Sequence, residues 1–151
     1  MTEIGVGIIG GGYMGKAHAV AYAAVGAVFN TQLRPRLEMV AASSRASAER
    51  YAKDFGFRRA AENWESLVRD PAVEAVVIAS PQSTHRAAAE LAFSLGKPVF
   101  CEKPLGASVA DAEAMVAAAS AAKCVNMVGF NYIRTPASQY ARKLISDGTI
   151  G

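Results

Sequence analysis

Short apolar runs alternate along the chain with longer segments of helical character. The apolar runs fall at residues 4–9, 37–42, 57–60, 73–79, 98–101 and 125–130, and we predict that each forms a β-strand. The predicted helices between and after them cover residues 13–25, 46–55, 64–68, 84–95, 109–122 and 137–147. Because the apolar runs lack an alternation of apolar and polar side chains, both faces of each strand should be buried. The pattern therefore predicts an α/β fold in which helices cover both faces of a parallel sheet.

Residues with turn and capping preferences mark the ends of several predicted elements. Asn63 is placed to cap the helix that begins at Trp64. Ser108 and Asp111 have the spacing of a capping box before the fifth predicted helix. Residues 29–36 (FNTQLRPR) contain Asn, Pro and two arginines, so we predict a surface loop there.

A glycine-rich turn follows the first predicted strand. Residues 4–17 (IGVGIIGGGYMGKA) contain two overlapping G-x-G-x-x-G matches, and only the second, at Gly10, Gly12 and Gly15, has a strand before it and a helix after it. Gly10 permits a tight turn, Gly12 leaves room for a pyrophosphate, and Gly15 lets helix and strand pack closely. The anion would bind free N–H groups at the helix N-terminus. The segment predicts a dinucleotide site, and the alternative is a plain tight turn between strand and helix.

Most of the predicted strands end in a polar or glycine-containing cluster. These clusters lie at residues 10–15, 43–45, 80–85, 102–103 and 131. Ligands of open parallel sheets bind beyond the carboxyl ends of the strands, and crossover connections between parallel strands are right-handed. We therefore expect the five clusters to converge on one edge of a doubly wound sheet.

The end of the second predicted strand bears on the choice of dinucleotide. NAD-binding folds usually have an Asp or Glu there for the ribose 2′-hydroxyl, whereas this chain has Ser43, Ser44 and Arg45. Glu38, the nearest acid, is expected at the start of the strand and so at the opposite edge. Without the carboxylate, a 2′-phosphate meets no repulsion and Arg45 could pair with it. This favours NADP(H), and an NAD site that lacks the acid remains the alternative.

Two opposite charges and a proline follow the fifth predicted strand in the segment FCEKPL. Pro104 fixes its own φ and favours an extended conformation at Lys103. A lysine held beside a bound nicotinamide could accept a proton from a substrate hydroxyl while hydride leaves the same carbon. The alternative is that Glu102 and Lys103 form an exposed charge pair in a surface turn. His85 could contact the cofactor or fill a first-turn position, and His18 is interpreted as a packing or surface histidine.

Composition excludes several other classes of protein. The chain has 151 residues, 52% of them hydrophobic and 19% charged, which fits one globular domain with a substantial core. The net charge of +3 comes from scattered basic residues and does not indicate a nucleic-acid partner. No apolar run is long enough to span a bilayer, and the two histidines and two cysteines form no metal-ligand spacing. With Cys101 and Cys124 as its only cysteines and no export signal, the chain is expected in a reducing cytoplasm.

Four segments together resemble the glucose–fructose oxidoreductase, inositol dehydrogenase and rhizopine-catabolism family (Gfo/Idh/MocA). They are GIIGGGYMGKAHA at 7–19, SPQSTH at 80–85, CEKPLG at 101–106 and VGFNYIRTPA at 128–137. The resemblance implies an NAD(P)-dependent dehydrogenase of sugars, inositols or related polyols, with a Rossmann domain over residues 1–151. It also implies that Lys103 is the catalytic lysine. The implied cofactor-binding residues are Gly10, Gly12, Tyr13, Met14, Gly15, Ser80, Pro81, His85, Glu102, Lys103 and Asn131, to which the strand-end argument adds Ser44 and Arg45.

The chain departs from the family pattern in three ways. Many members have Asp where Ser44 stands. Many also have an arginine where Ile133 stands; here the arginine is displaced by one position, to Arg134, and we therefore give Arg134 no role. Members also have a second, sheet-rich domain that supplies substrate-binding residues and usually an oligomer interface. The 151-residue chain is therefore expected to bind a dinucleotide with negligible turnover, and to expose an apolar patch near its last helix and residues 102–105. The alternative function is a non-catalytic module that senses NAD(P)H.

Overall fold

The computed structural model describes residues 1–150 and contains a six-stranded sheet with helices on both faces. The strands are β1 (Thr2–Ile9), β2 (Leu33–Ala41), β3 (Arg59–Ala60), β4 (Ala75–Ile78), β5 (Val99–Cys101) and β6 (Asn126–Val128). The helices are α1 (Tyr13–Val28), α2 (Arg45–Phe55), α3 (Trp64–Arg69), α4 (His85–Ser94), α5 (Val109–Ala122) and α6 (Pro136–Ser146). Short 3₁₀ turns at Gln82–Thr84 and Asn131–Arg134 precede α4 and α6.

All of the strand pairings are parallel, and the strand order is β3-β2-β1-β4-β5-β6. The chain runs outward from β1 to β3 and then crosses back to β4 on the other side of β1. This confirms the predicted doubly wound, Rossmann-type α/β fold. The reversal lies between β1 and β4, where ligands of such sheets bind.

The core consists of two apolar clusters, one on each face of the sheet. Neighbouring strand residues point to opposite faces, so Ile9 belongs to one cluster and Ile8 to the other. Val76 and Val77 divide in the same way, and all four of these side chains are buried. The uninterrupted apolar runs of the sequence are therefore explained by a sheet with no wet face.

The predicted loop at residues 29–36 is wrong in its second half. β2 begins at Leu33, and Pro35 pairs with Ile4 of β1. β3 pairs only with Met39 and Val40, so the first half of β2 has a single neighbouring strand and tolerates a proline. The Arg34 guanidinium donates to the carbonyl groups of Gly26 and Phe29 near the end of α1.

The predicted helix starts are confirmed at the two capped positions. Asn63 accepts a hydrogen bond from the Ser66 amide at the start of α3, and Ser108 accepts one from the Asp111 amide at the start of α5. None of the helices in residues 1–150 combines the length and apolar character needed to cross a bilayer. Exposed large apolar side chains are concentrated near the last helix, at Phe130, Tyr132, Ile133, Tyr140 and Ile145.

Candidate functional site

A cleft of about 970 Å³ opens at the carboxyl edge of the sheet, across the reversal between β1 and β4. Ten of the predicted site residues line it: Gly10, Gly12, Tyr13, Met14, Ser44, Ser80, Pro81, His85, Glu102 and Lys103. Gly15, Arg45 and Asn131 are not among the lining residues. The convergence expected from the strand ends is therefore present for four of the five clusters.

Gly10 and Gly15 are required by the fold of the turn after β1. Gly10 has φ of 119°, and a Cβ atom on it would lie 2.4 Å from the Ala79 carbonyl oxygen. A Cβ atom on Gly15 would lie 2.0 Å from the Gly10 carbonyl oxygen. Both positions therefore exclude a side chain, as the motif predicts for a tight turn and a close helix–strand contact.

Gly12 differs from the other glycines because nothing in the fold requires it. Its φ of −80° and ψ of −167° suit any residue, and a Cβ atom on it would have no neighbour within 4 Å. Gly56, Gly96 and Gly148 also face open space, but each has a positive φ. Among the glycines of residues 1–150, Gly12 alone combines ordinary torsion angles with empty space, and that space belongs to the cleft.

The N-terminus of α1 also faces the cleft and has no protein cap. Gly12 is its N-cap residue, no side chain accepts a hydrogen bond from the first turn, and that turn contains no acidic residue. By contrast, Ser44, Asn63, Ser108 and Thr135 cap α2, α3, α5 and α6 with their side chains. Free N–H groups and the positive end of the helix dipole therefore suit an anion at Gly12.

Tyr51 of α2 contacts the glycine-rich turn. Its hydroxyl donates a hydrogen bond of 2.9 Å to the Gly12 carbonyl oxygen. Burial raises the pKa of the Tyr51 hydroxyl further above its ordinary value, which already leaves the donor proton in place at neutral pH. The Lys16 ammonium lies 5.8 Å from the centre of the Tyr51 ring. These contacts fix the orientation of the turn although α2 follows it by almost forty residues.

The end of the cleft at β2 has a different charge arrangement from the one expected. Arg45 is engaged by two carboxylates, with Nε 2.7 Å from Glu49 and Nη1 3.0 Å from Glu62. Glu62 and Arg50 line the cleft, whereas Arg45 and Glu49 do not. The guanidinium of Arg45 is therefore already paired and does not line the cleft, unlike the free phosphate-binding arginine that the sequence predicted.

Glu38 was expected at the start of its strand, and this expectation is wrong because Glu38 lies in the second half of β2. Its buried carboxylate accepts hydrogen bonds from Arg36 at 2.9 Å and from Arg59 at 2.8 Å. Burial alone would raise the pKa of Glu38, but the two guanidinium groups outweigh it and lower the pKa. Glu38 thus joins β2 to β3 within the sheet and does not line the cleft.

His85 connects two loops of the cleft. The ring is only 1% exposed, with Nε2 2.8 Å from the Ser80 carbonyl oxygen and Nδ1 3.1 Å from the Leu105 carbonyl oxygen. It therefore ties the loop after β4 to the loop after β5. Of the two roles considered for His85, the structure shows a buried first-turn position with one edge of the residue in the cleft wall.

Lys103 is exposed at the end of β5 and lines the cleft. In residues 1–150 its ammonium group has no hydrogen-bond or ion-pair partner, although its backbone N–H donates to Glu102 Oε2 at 3.2 Å. The alternative considered from the sequence, an exposed charge pair between the side chains of Glu102 and Lys103, is therefore absent from this part of the chain. Instead, Glu102 is buried and its Oε1 lies 2.8 Å from His18 Nε2.

Thiol and metal chemistry have no support at this site. Burial, with a smaller contribution from Glu102, raises the pKa of the Cys101 thiol to about 12, so it is protonated at neutral pH. Cys101 packs in the apolar core. The residues that the structure describes contain no group of three His, Cys, Asp or Glu side chains arranged to hold a metal ion.

Sequence reasoning missed several residues of the site. Ser47, Arg50, Tyr51, Glu62, Asn63 and Trp64 line the cleft, and His18 contacts Glu102 behind it. Ser47 and Arg50 share a helix with the predicted Ser44, so their helical spacing was the available signal. Glu62 follows β3 at the same edge of the sheet, so the strand-end rule that located the other clusters was the signal that could have found it. His18 gave no such signal, because its partner is 84 residues away.

Comparison with known proteins agrees with this geometry. Residues 4–130 match the GFO_IDH_MocA family, described as "Oxidoreductase family, NAD-binding Rossmann fold". Levoglucosan dehydrogenase from Pseudarthrobacter phenanthrenivorans is 40% identical, with 100% of this chain and 39% of that protein aligned. Inositol 2-dehydrogenase from Rhizobium meliloti is 33% identical, with 96% of this chain and 41% of that protein aligned.

A solved structure shares the fold closely. Levoglucosan dehydrogenase in complex with NADH and levoglucosan superposes with a TM-score of 0.92 at 40% identity. The match covers 99% of this chain and 41% of that one. The chain thus spans about two fifths of the length of the relatives it matches.

Proposed function

The chain belongs to the Gfo/Idh/MocA oxidoreductase family, in which it corresponds to the NAD-binding Rossmann domain, and we propose that it is the cofactor-binding part of a dehydrogenase. The reaction is hydride transfer between a nicotinamide dinucleotide and a sugar, inositol or related polyol. Relatives named for levoglucosan and inositol support this substrate class. About three fifths of each relative lies outside the matched region, and we assign the substrate-binding residues to that part.

The observation that carries the proposal is the empty space over Gly12. A side chain there would touch no protein atom, so glycine is explained by the close approach of a ligand to the backbone. The uncapped N–H groups of α1 meet that ligand and suit a pyrophosphate. Tyr13, Met14 and the serines after β2 extend the cleft on either side of this point.

Lys103 is the proposed acid–base residue. A bound nicotinamide supplies the hydride acceptor in one direction and the hydride donor in the other. The Lys103 amine, exposed in the cleft, takes the proton of the substrate hydroxyl and returns it in the reverse direction. Ser80, Pro81, His85, Glu102 and Asn131 are proposed to shape the nicotinamide half, with Asn131 acting from outside the present lining.

For the dinucleotide itself, we infer a preference for NAD(H). The sequence favoured NADP(H) because Arg45 was expected to be free, but both sides of its guanidinium are paired with carboxylates. The carboxylate of Glu62 lies in the cleft, where it would repel a 2′-phosphate and offset the attraction of Arg50 in the same lining. The family description and the NADH complex of the relative point the same way. We also propose a cytoplasmic location, which the two free cysteines support, and a homo-oligomer for the whole protein, as the resemblance implies.

The test is a binding measurement on the 151-residue chain. NADH binding is followed by fluorescence for the wild type, for Gly12→Val and for Ala21→Val, a control that adds the same side chain at an exposed position of the same helix. We expect Gly12→Val to weaken NADH binding at least tenfold with little change in thermal stability, and Ala21→Val to leave binding unchanged. Wild-type protein that binds neither NADH nor NADPH, or Gly12→Val protein that binds as well as the wild type, would overturn the proposal.

A further inference from the structure

The buried carboxylate of Glu102 joins three parts of the site. Its Oε1 lies 2.8 Å from His18 Nε2 on α1, and its Oε2 accepts the backbone N–H of Lys103 at 3.2 Å. The side chains are secluded, with 15% of His18 and 7% of Glu102 exposed. An ionised carboxylate can only accept hydrogen bonds, so an ionised Glu102 accepts from the Nε2–H tautomer of His18.

His18 is itself fixed by its surroundings. Its ring meets the Phe100 ring edge-on, with 4.9 Å between centroids, and the centroid of the Tyr22 ring is 6.5 Å away. Phe100 belongs to β5, directly before Cys101 and Glu102. The aromatic contacts and the hydrogen bond to Glu102 thus hold the imidazole between α1 and the end of β5.

Gly129 closes the third side of the carboxylate. A Cβ atom on Gly129 would lie 3.1 Å from Glu102 Oε1 and 3.2 Å from Oε2. Its N–H donates to the Cys101 carbonyl oxygen at 2.8 Å, which holds this backbone against the end of β5. Glu102 is thus enclosed by α1, by its own loop and by the end of β6, and it cannot turn away without losing a partner.

We propose that His18 is a positioning residue for Lys103, acting through Glu102. The helix that begins at the pyrophosphate turn and the loop that carries the proposed acid–base residue are joined by this one carboxylate. His18 orients the carboxylate, and the carboxylate orients the Lys103 amide. The position of Lys103 in the nicotinamide half of the cleft is therefore fixed relative to α1, which carries the pyrophosphate turn. The role assigned to Lys103 rests on the proposed function, but the connection from His18 through Glu102 to the Lys103 amide does not depend on any ligand.

The first test needs no ligand. The ¹H–¹⁵N resonance of the Lys103 amide is compared in wild-type protein, His18→Leu, His18→Gln and Val20→Ala, the last an exposed control on the same helix. We expect the resonance to move in His18→Leu, to return towards the wild-type position in His18→Gln, whose amide can still donate, and to stay in place in Val20→Ala. A Lys103 resonance that is the same in wild-type and His18→Leu protein would overturn the proposal.

The second test separates the two halves of the cleft. Dissociation constants are measured for NAD+ and for ADP-ribose, which lacks the nicotinamide. We expect His18→Leu to weaken NAD+ about fivefold while ADP-ribose is unchanged, and Gly129→Ala, which crowds the same carboxylate from β6, to do the same. Equal losses for both ligands would refute a positioning role. If wild-type protein binds neither ligand, the proposed function fails, while the amide resonance still decides the linkage.

Discussion

Discrimination between NAD and NADP can be tested at a single carboxylate. Glu62 lies in the cleft beside the serines that follow β2, and 70% of its side chain is exposed. The change is Glu62→Gln, which keeps the shape of the side chain and removes its charge. Because Glu49 pairs with the same Arg45 from outside the cleft, Glu49→Gln is a matched control.

The expected magnitude follows from Coulomb's law in a wet site. A 2′-phosphate carries about two negative charges, and at a separation of about 6 Å in water, with physiological salt, one carboxylate lowers affinity about threefold. Glu62→Gln should therefore bind NADP+ about threefold more tightly than the wild type, and the gain should fall as salt is raised. Affinity for NAD+, which has a neutral 2′-hydroxyl, should not change.

The assay is titration calorimetry with NAD+ and NADP+ at two salt concentrations. Glu49→Gln also removes one ion pair of Arg45, at Nε and not at Nη1, but it removes no charge from the cleft, so its effect on NADP+ should be smaller. The reasoning is refuted if the wild type prefers NADP+, or if Glu62→Gln changes the affinities for both dinucleotides equally.

Two further predictions concern stability. Gly15→Ala places a methyl group 2.0 Å from the Gly10 carbonyl oxygen, which costs about 1–3 kcal/mol of strain. This cost should exceed the gain of about 1 kcal/mol in helix propensity, so the urea midpoint of unfolding should fall. A midpoint above that of the wild type would contradict the packing described. Hydrogen bonds from Arg59 outweigh burial and lower the pKa of Asp70, so this pair stabilises the fold above the unfolded pKa of about 4 and is lost as pH falls through the folded pKa. Arg59 also donates to the buried Glu38, whose pKa is lowered as well, so Arg59→Leu should lose at least about 1 kcal/mol at pH 7 and much less at pH 3. Arg58→Leu, which removes an exposed arginine with no ion pair in residues 1–150, should unfold like the wild type at both pH values.

The sequence alone was sufficient for the order of the elements and for the turn that defines the cleft. Apolar runs without alternation required a sheet buried on both faces, and the spacing of Gly10, Gly12 and Gly15 located the turn after the first strand. Capping residues such as Asn63 placed helix starts to the residue, because a cap acts within four residues of itself.

Only the tertiary structure decided which side chains meet across the cleft. Arg45 and Glu62 are 17 residues apart, and His18 and Glu102 are 84 apart. Such contacts depend on strand order and on how each helix lies on the sheet, and neither is encoded in a local pattern. For that reason the sequence assigned Arg45 to a phosphate and left His18 without a partner. The same folded arrangement shows one arginine already paired and one histidine within hydrogen-bond distance of the carboxylate that precedes Lys103.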